Sequence, residues 1–383
     1  MERIKSNHII CGFNEIAGYV YFENGIITEV SARELPVSCE YDYTNYYVSA
    51  GFIDIHTHGG GGNRFEGSCE EVINGCNFHL SHGVTTIYPT VSAAYMCDMR
   101  KSVENIRCAK SSPKLKNNLI GAHLEGPYLS LAQTGAQGSE FITPPVESEY
   151  VSVIDDLGDA ISRWTYAPEN DNGGVFAKYA SDKGIVLSAG HTNAVYSDIK
   201  TALSAGCRLV THLYSCTSTV TRNKGFRSLG VIESAFLEDD IYVEIIADGK
   251  HLPPELIRMI YKIKGPNRVI LVSDSLAIAG TDAKQGKMQS TEFVIEDGVC
   301  KLLDRSAFAG SIATADRLIR VMVNEAGVPL VEAVYMITET PAHVMMLKDK
   351  GRLAEGYDAD ITVFDNDVDV KAVFVRGNCR YSK

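Results

Sequence analysis

Apolar residues along this chain fall into short runs, and the spacing of those runs changes twice. Near the start, Tyr19-Val20-Tyr21-Phe22 is followed by the turn Glu23-Asn24-Gly25 and then by Ile26-Ile27-Thr28-Glu29-Val30. Asn-Gly between two β-rich runs predicts a hairpin. A piece this small needs a partner sheet to bury its apolar face. From Ala50 onward, short apolar strands alternate with helical patterns. The predicted strands cover 52–55, 85–90, 119–125, 164–167, 185–189, 209–212, 242–247 and 269–274, and helical spacing covers 69–82, 175–183 and 197–205. Eight strands in alternation with helices predict a (β/α)8 TIM barrel rather than an open doubly wound sheet. Residues 275–311 break the rhythm with Gly280, Gly286, Gly298 and Gly310, and read as a loop and hairpin excursion with a β-like run at 292–303. Helices resume at 314–324, 331–337 and 341–346, and strand-like alternation returns at 361–365 and 370–376. The expected layout is a barrel over 50–344 and a small β-sandwich built from both chain ends, 1–49 plus 345–383.

Bulk properties narrow the partners. A net charge of -12 disfavours nucleic acid and anionic membrane, both of which demand a basic surface. It leaves room for a small anionic substrate held in a local positive pocket. The ten cysteines include no CxxC pair, and their spacing shows no disulfide framework. The N-terminal MERIKSNHIICGFNE lacks the apolar run of a signal peptide, and no run approaches the ~18 apolar residues of a membrane span. These features predict a soluble, cytoplasmic protein in a reducing compartment.

The chemistry collects where strands end. His56 and His58 follow the first barrel strand, and strand alternation points both to one face. Gly59–62 then allow a tight turn that leaves open space beside them. Glu125, His191, His212, His251 and Asp274 stand at the ends of later strands. In a (β/α)8 barrel those C-terminal ends form the active face. One His-x-His is a common accident, but five of the ten histidines, at 56, 58, 191, 212 and 251, lie just past strand ends. Imidazole with carboxylate suits zinc, iron, manganese, cobalt or nickel rather than calcium or magnesium. Four histidines and Glu125 exceed the needs of one tetrahedral ion, whereas two ions bridged by Glu125 would use them all. Asp274 is the natural general base for a metal-activated water. Blander readings apply elsewhere. Of His79 and His82, one is expected to face solvent and the other to cap the turn before Gly83. His123 is as readily a support as a ligand. Cys216 reads as a packed thiol, and Gly59–62 alone is weak evidence of a phosphate cradle.

Six stretches carry a family resemblance: GFIDIHTHG at 51–59, HLEGPY at 123–128, AGHTNA at 189–194, THLY at 211–214, ADGKH at 247–251 and VSD at 272–274. Together with GRLAEGYDAD at 351–360, they resemble the N-acetylglucosamine-6-phosphate deacetylase family of the amidohydrolase superfamily, from about residue 10 to 378. HLEGP is specific to that group, since most amidohydrolases carry lysine at the bridging place. The resemblance implies that Glu125, His191 and His212 hold a metal common to all members. It assigns a second, variable site to His56 and His58, makes Asp274 the acid/base, and has His251 touch the sugar or polarise the amide carbonyl. The implied reaction hydrolyses the acetamido group of an amino-sugar phosphate to acetate and the free amine, in a homodimeric enzyme. The chain departs from the family around the sugar phosphate. Ser215-Cys216-Thr217 stands where Asn-Ala-Met is usual, Gln137 replaces a substrate-touching histidine, and the phosphate arginine is either Arg222 or Arg227. Cyclic-amide or N-acyl-amino-acid hydrolases are the enzymatic alternative and usually carry the bridging lysine. A non-catalytic scaffold is the other, and such proteins lose metal ligands.

Overall fold

The computed structural model describes residues 1–288 and 291–383. At its centre eight parallel strands form a nearly closed barrel in chain order: Phe52–Thr57, Val84–Ser92, Ala122–Glu125, Ile161–Tyr166, Val186–Ala189, Leu209–Val210, Tyr242–Ile245 and Val269–Leu271. Closure comes just past the strand ends. The Asp274 N–H donates to the His56 carbonyl at 2.9 Å, and the His58 N–H to the Ser275 carbonyl at 2.8 Å. The hydrogen bonds that complete the barrel are thus made by the residues of the site itself.

Several strands are shorter than their apolar runs. The sixth, seventh and eighth stop at Val210, Ile245 and Leu271, before the site residues that the sequence pattern counted as strand. Backbone geometry accounts for part of this. His191, His212 and Asp274 adopt φ values of 46°, 26° and 46°, a left-handed conformation that no strand can contain and that costs free energy for any residue with a Cβ. The third strand is split, with Asn118–Leu119 pairing separately with the second. Gly121 sits between the pieces, where a Cβ would stand 2.3 Å from the Ser162 hydroxyl.

Helices cover the outside of the barrel. The first, Cys69–Leu80, starts from a capping box of Ser68 and Glu71, which satisfies two otherwise orphaned backbone N–H groups. Its first residue, Cys69, forms a disulfide with Cys108 near the end of helix Met96–Lys110. The cysteine spacing, which shows no disulfide framework, gives no sign of this single pair. The two cysteines lie 39 residues apart, and only the packing of neighbouring helices brings them together. No helix among the described residues is long and apolar enough to cross a membrane.

Both chain ends meet in a separate eight-stranded sheet. Ile361–Phe364 pairs antiparallel with Tyr47–Ala50, which pairs with Glu2–Cys11, and Asn14–Glu23 and Ile26–Ser31 extend that side. The Asn24-Gly25 turn lies at the predicted place, with φ of 52° and 83°. Ile4, Val20, Phe22, Val48, Ile361 and Phe374 build this sheet's own apolar core. The excursion after Asp274 holds three antiparallel strands rather than one hairpin: Gln285–Met288, Thr291–Glu296 and Val299–Leu302.

Candidate metal centre and active site

Glu125, at the end of the third strand, is the hub. His212 Nε2 lies 3.0 Å and His191 Nε2 3.3 Å from Glu125 Oε1, while His58 Nε2 lies 3.2 Å from Oε2. His56 Nε2 stands 3.4 Å from Glu125 and 3.5 Å from Asp274. Ligands about 2.1 Å from a tetrahedral ion sit roughly 3.4 Å from one another, so these separations match the edges of a coordination shell. Two groups of three form, His56/His58/Glu125 and Glu125/His191/His212, with ligand atoms within 4.8 Å of one another. The His56 Nε2 atom is fully buried and has no hydrogen-bond partner among the described residues. A buried ring nitrogen without a partner, standing beside two carboxylates, is the signature of a cation position. The residues present therefore fit one or two divalent ions.

The tautomers agree. His191 Nδ1 faces the Gln133 carbonyl at 2.9 Å and His212 Nδ1 faces the Ser215 carbonyl at 3.1 Å. A carbonyl only accepts, so each Nδ1 carries the hydrogen and each Nε2 keeps its lone pair. The Ser92 hydroxyl donates to Glu66 at 2.8 Å and so accepts from His58 Nδ1 at 3.0 Å. His56 Nδ1 faces Glu244 at 3.3 Å. Sequence reasoning missed Glu66, Ser92, Gln133 and Glu244. Three of these act through side chains, Ser92 and Glu244 from far away in sequence, and Gln133 acts through its backbone carbonyl, so no motif spacing marks them.

Electrostatics separates the roles. Burial alone would raise the Asp274 carboxyl, but the neighbouring imidazoles of His56 and His58 outweigh it and bring Asp274 down to about 2. Glu125 is likewise held well below the usual carboxylate range, burial being overcome by His56, His191 and His212. Both are ionised at neutral pH. His123 goes the other way: burial, helped by Arg163 and His56, depresses it well below an ordinary histidine. Its ring nitrogens face the hydroxyls of Thr90 at 3.0 Å and Thr165 at 2.7 Å. His123 therefore spends both ring nitrogens on the Thr90 and Thr165 hydroxyls, outside the two ligand groups.

The other predicted residues divide. A cavity of about 260 Å³ opens beside the cluster, lined by His58, Glu125, Gln137, His191, His212, Ser215, Cys216, His251 and Asp274. His251 is held by Asp248, whose Oδ2 lies 2.9 Å from its Nδ1. Gln137 is on the wall, yet its amide group donates to Glu125 Oε2 at 2.8 Å and accepts from the Ala93 N–H at 2.9 Å. Its amide thus meets both Glu125 and the Ala93 backbone while the side chain stays in the cavity wall. Arg222 and Arg227 face each other across an exposed hairpin, Thr221–Asn223 with Phe226–Ser228. Neither lines the cavity among the described residues, because the hairpin projects from the barrel. His79 corrects another expectation. It neither caps nor faces solvent but is fully buried, which lowers it to about 4, and its Nε2 meets the Gly59 carbonyl at 2.9 Å and Thr57 Oγ1 at 3.1 Å. It props the glycine loop, where a Cβ on Gly60 would collide with Phe78 at 2.3 Å. His82 is half-buried against Asp316, at 3.1 Å.

A barrel with imidazoles and carboxylates converging at its strand ends defines a metal-dependent hydrolase, and the comparison with known families agrees. Residues 47–380 match the model of the amidohydrolase family, and the chain belongs to that family. Within it, the chain stands with the N-acetylglucosamine-6-phosphate deacetylases. The Haemophilus influenzae member is 32% identical over 343 residues, covering 86% of this chain and 85% of its own length. The N-acetylgalactosamine-6-phosphate deacetylase of Shewanella sp. is 29% identical over 360 residues, with 93% and 89% covered. Among solved structures, a variant of Mycobacterium smegmatis N-acetyl-D-glucosamine-6-phosphate deacetylase, in complex with N-acetyl-D-glucosamine-6-phosphate, superposes with a TM-score of 0.92 at 27% identity, covering 100% of this chain and 99% of the other.

Proposed function

We propose that this protein removes the acetyl group from an N-acetylated amino-sugar phosphate, N-acetylglucosamine-6-phosphate first and N-acetylgalactosamine-6-phosphate second. The observation that carries the reading is Glu125 placed between two histidine pairs, where the cyclic-amide hydrolases usually carry lysine. We assign His56, His58, Glu125, His191 and His212 as ligands of one or two divalent ions, zinc or iron, with manganese, cobalt or nickel as the remaining choices. A bound divalent ion acidifies a water and polarises the acetamide carbonyl.

The chain's own residues supply the rest. Asp274, ionised and 3.2 Å from His58 Nε2, takes the proton of the attacking water and delivers it to the leaving amine nitrogen. His251, fixed by Asp248, offers its Nε2 side to the carbonyl oxygen or the sugar. The wall at Ser215 and Cys216 receives the phosphate end through the Ser215 hydroxyl and nearby backbone N–H groups. We further propose a cytoplasmic homodimer. Its candidate surface is the projecting hairpin, whose Phe226 is 80% exposed.

Acetate release should be measured from the 6-phosphates of N-acetylglucosamine, N-acetylgalactosamine and N-acetylmannosamine and from the unphosphorylated sugars. We expect turnover of the phosphates, with N-acetylglucosamine-6-phosphate fastest. Turnover of non-sugar amides alone would sink the substrate assignment, and less than one tightly bound divalent ion per chain would sink the catalytic one.

A further inference from the structure

Beneath the metal centre the barrel floor holds an ion pair that hydrolysis itself does not use. Arg163 on the fourth strand and Glu244 on the seventh are both completely buried and form a salt bridge. Burying two charges costs more than their attraction returns unless the remaining donors and acceptors are matched, and an apolar layer often fills such a space at lower cost. Here most of the groups are matched, with Arg163 Nε the exception. Arg163 donates to the Ile55 carbonyl at 2.9 Å and to the hydroxyls of Ser188 and Thr211, each at 3.0 Å. Ile55 directly precedes His56, Thr211 directly precedes His212, and Ser188 lies three residues before His191. Glu244 Oε2 faces His56 Nδ1 at 3.3 Å and receives the His212 backbone N–H at 3.4 Å.

We propose that Glu244, anchored by Arg163, is the positioning residue that makes His56 a metal ligand and so governs filling of the His56/His58/Glu125 half of the centre. This rests on the two-ion reading above. His56 has carboxylates on both sides of its ring. Glu125 and Asp274, at 3.4 and 3.5 Å from Nε2, would draw the ring hydrogen to the wrong nitrogen. Glu244 is the counter-pull that holds it on Nδ1 and leaves the Nε2 lone pair facing the cavity. The other half needs no such device, since backbone carbonyls already fix His191 and His212.

The test compares metal-loaded wild type with a double variant, Arg163→Met with Glu244→Leu, which removes both charges together so that neither is stranded. Metal per chain is counted by mass spectrometry after dialysis against a graded zinc chelator, and folding is checked by circular dichroism. Wild type should hold two ions. The double variant should hold one tightly and bind the second about 10- to 100-fold more weakly. Glu244→Gln, whose amide oxygen still accepts from Nδ1, should retain both. Equal retention of two ions by the double variant, or loss of both, overturns the proposal. Should the double variant fail to fold, nitrogen-15 histidine spectra of metal-stripped wild type decide, with the His56 signal identified through His56→Asn. An Nδ1–H tautomer supports the proposal and an Nε2–H tautomer overturns it. A wild type that holds one ion with His56 in the Nδ1–H form overturns the two-ion reading while supporting the positioning role.

Discussion

Asp274 shows how much the site asks of single residues. It sits in left-handed backbone, closes the barrel through its N–H, and is ionised because His56 and His58 stand beside it. Strained backbone of this kind persists where the surroundings over-determine it, typically at functional sites. Replacing Asp274 with Asn keeps the shape and removes the proton acceptor. We expect turnover to fall about 10²- to 10⁴-fold, with metal content, measured by elemental analysis, nearly unchanged. Retained activity would strip Asp274 of its role. At this scale the sequence was partly legible. His56, His58, Glu125, His191 and His212 each sit at a strand end, which a pattern can find, whereas the use of Gln137 on Glu125 depends on where a loop returns in space.

The elements hold the site through connections between distant segments. His82, just beyond the first helix, meets Asp316 at the start of helix Ala315–Asn324, at 3.1 Å, and Arg320 meets the same carboxylate at 2.9 Å. Burial pushes Asp316 up, but His82, Thr314 and Arg320 bring it from its ordinary 3.8 down to about 2. A depressed carboxylate contributes stability that is complete above its unfolded value and is lost as pH falls through the folded one. The window is therefore about pH 4 to 2, and the shift corresponds to about 2 kcal/mol. In urea unfolding, Asp316→Asn should be about 2 kcal/mol less stable than wild type at pH 7, and the gap should shrink to about half near pH 3. A gap independent of pH would mean that the pair contributes through packing alone. Strand lengths and the first strand of the excursion, Gln285–Met288, escaped the sequence pattern because both depend on backbone turns that apolar spacing does not encode.

Across the whole molecule, the sheet made by the chain ends is tied to the barrel by buried polar contacts. Lys350 is buried with Asp358 at 2.6 Å and Asp360 at 2.8 Å, and Asp360 also receives the Asn118 amide at 2.8 Å and shares its carbonyl with the Gly51 N–H at 2.9 Å. Gly51 opens the segment that carries His56 and His58. Lys350→Met would leave Asp360 buried without its cation and Asp358 with only Arg376, 3.7 Å away, a loss of about 3 kcal/mol. Thermal and urea unfolding should both register it. Stability within about 0.5 kcal/mol of wild type would show that water compensates at this junction.

The sequence by itself determined the alternation that makes a barrel, the return of the tail to the N-terminal strands, and the residue types gathered at strand ends. These are local patterns of period and composition, and each residue carries its part of them alone. Tertiary structure decided the rest: which atoms of Glu125 meet which imidazoles, that Arg222 and Arg227 lie on an exposed hairpin outside the cavity lining, that Cys69 meets Cys108, and that Arg163 and Glu244 underlie the histidines. Those facts depend on distances between segments far apart in the chain, and only closure of the barrel sets such distances.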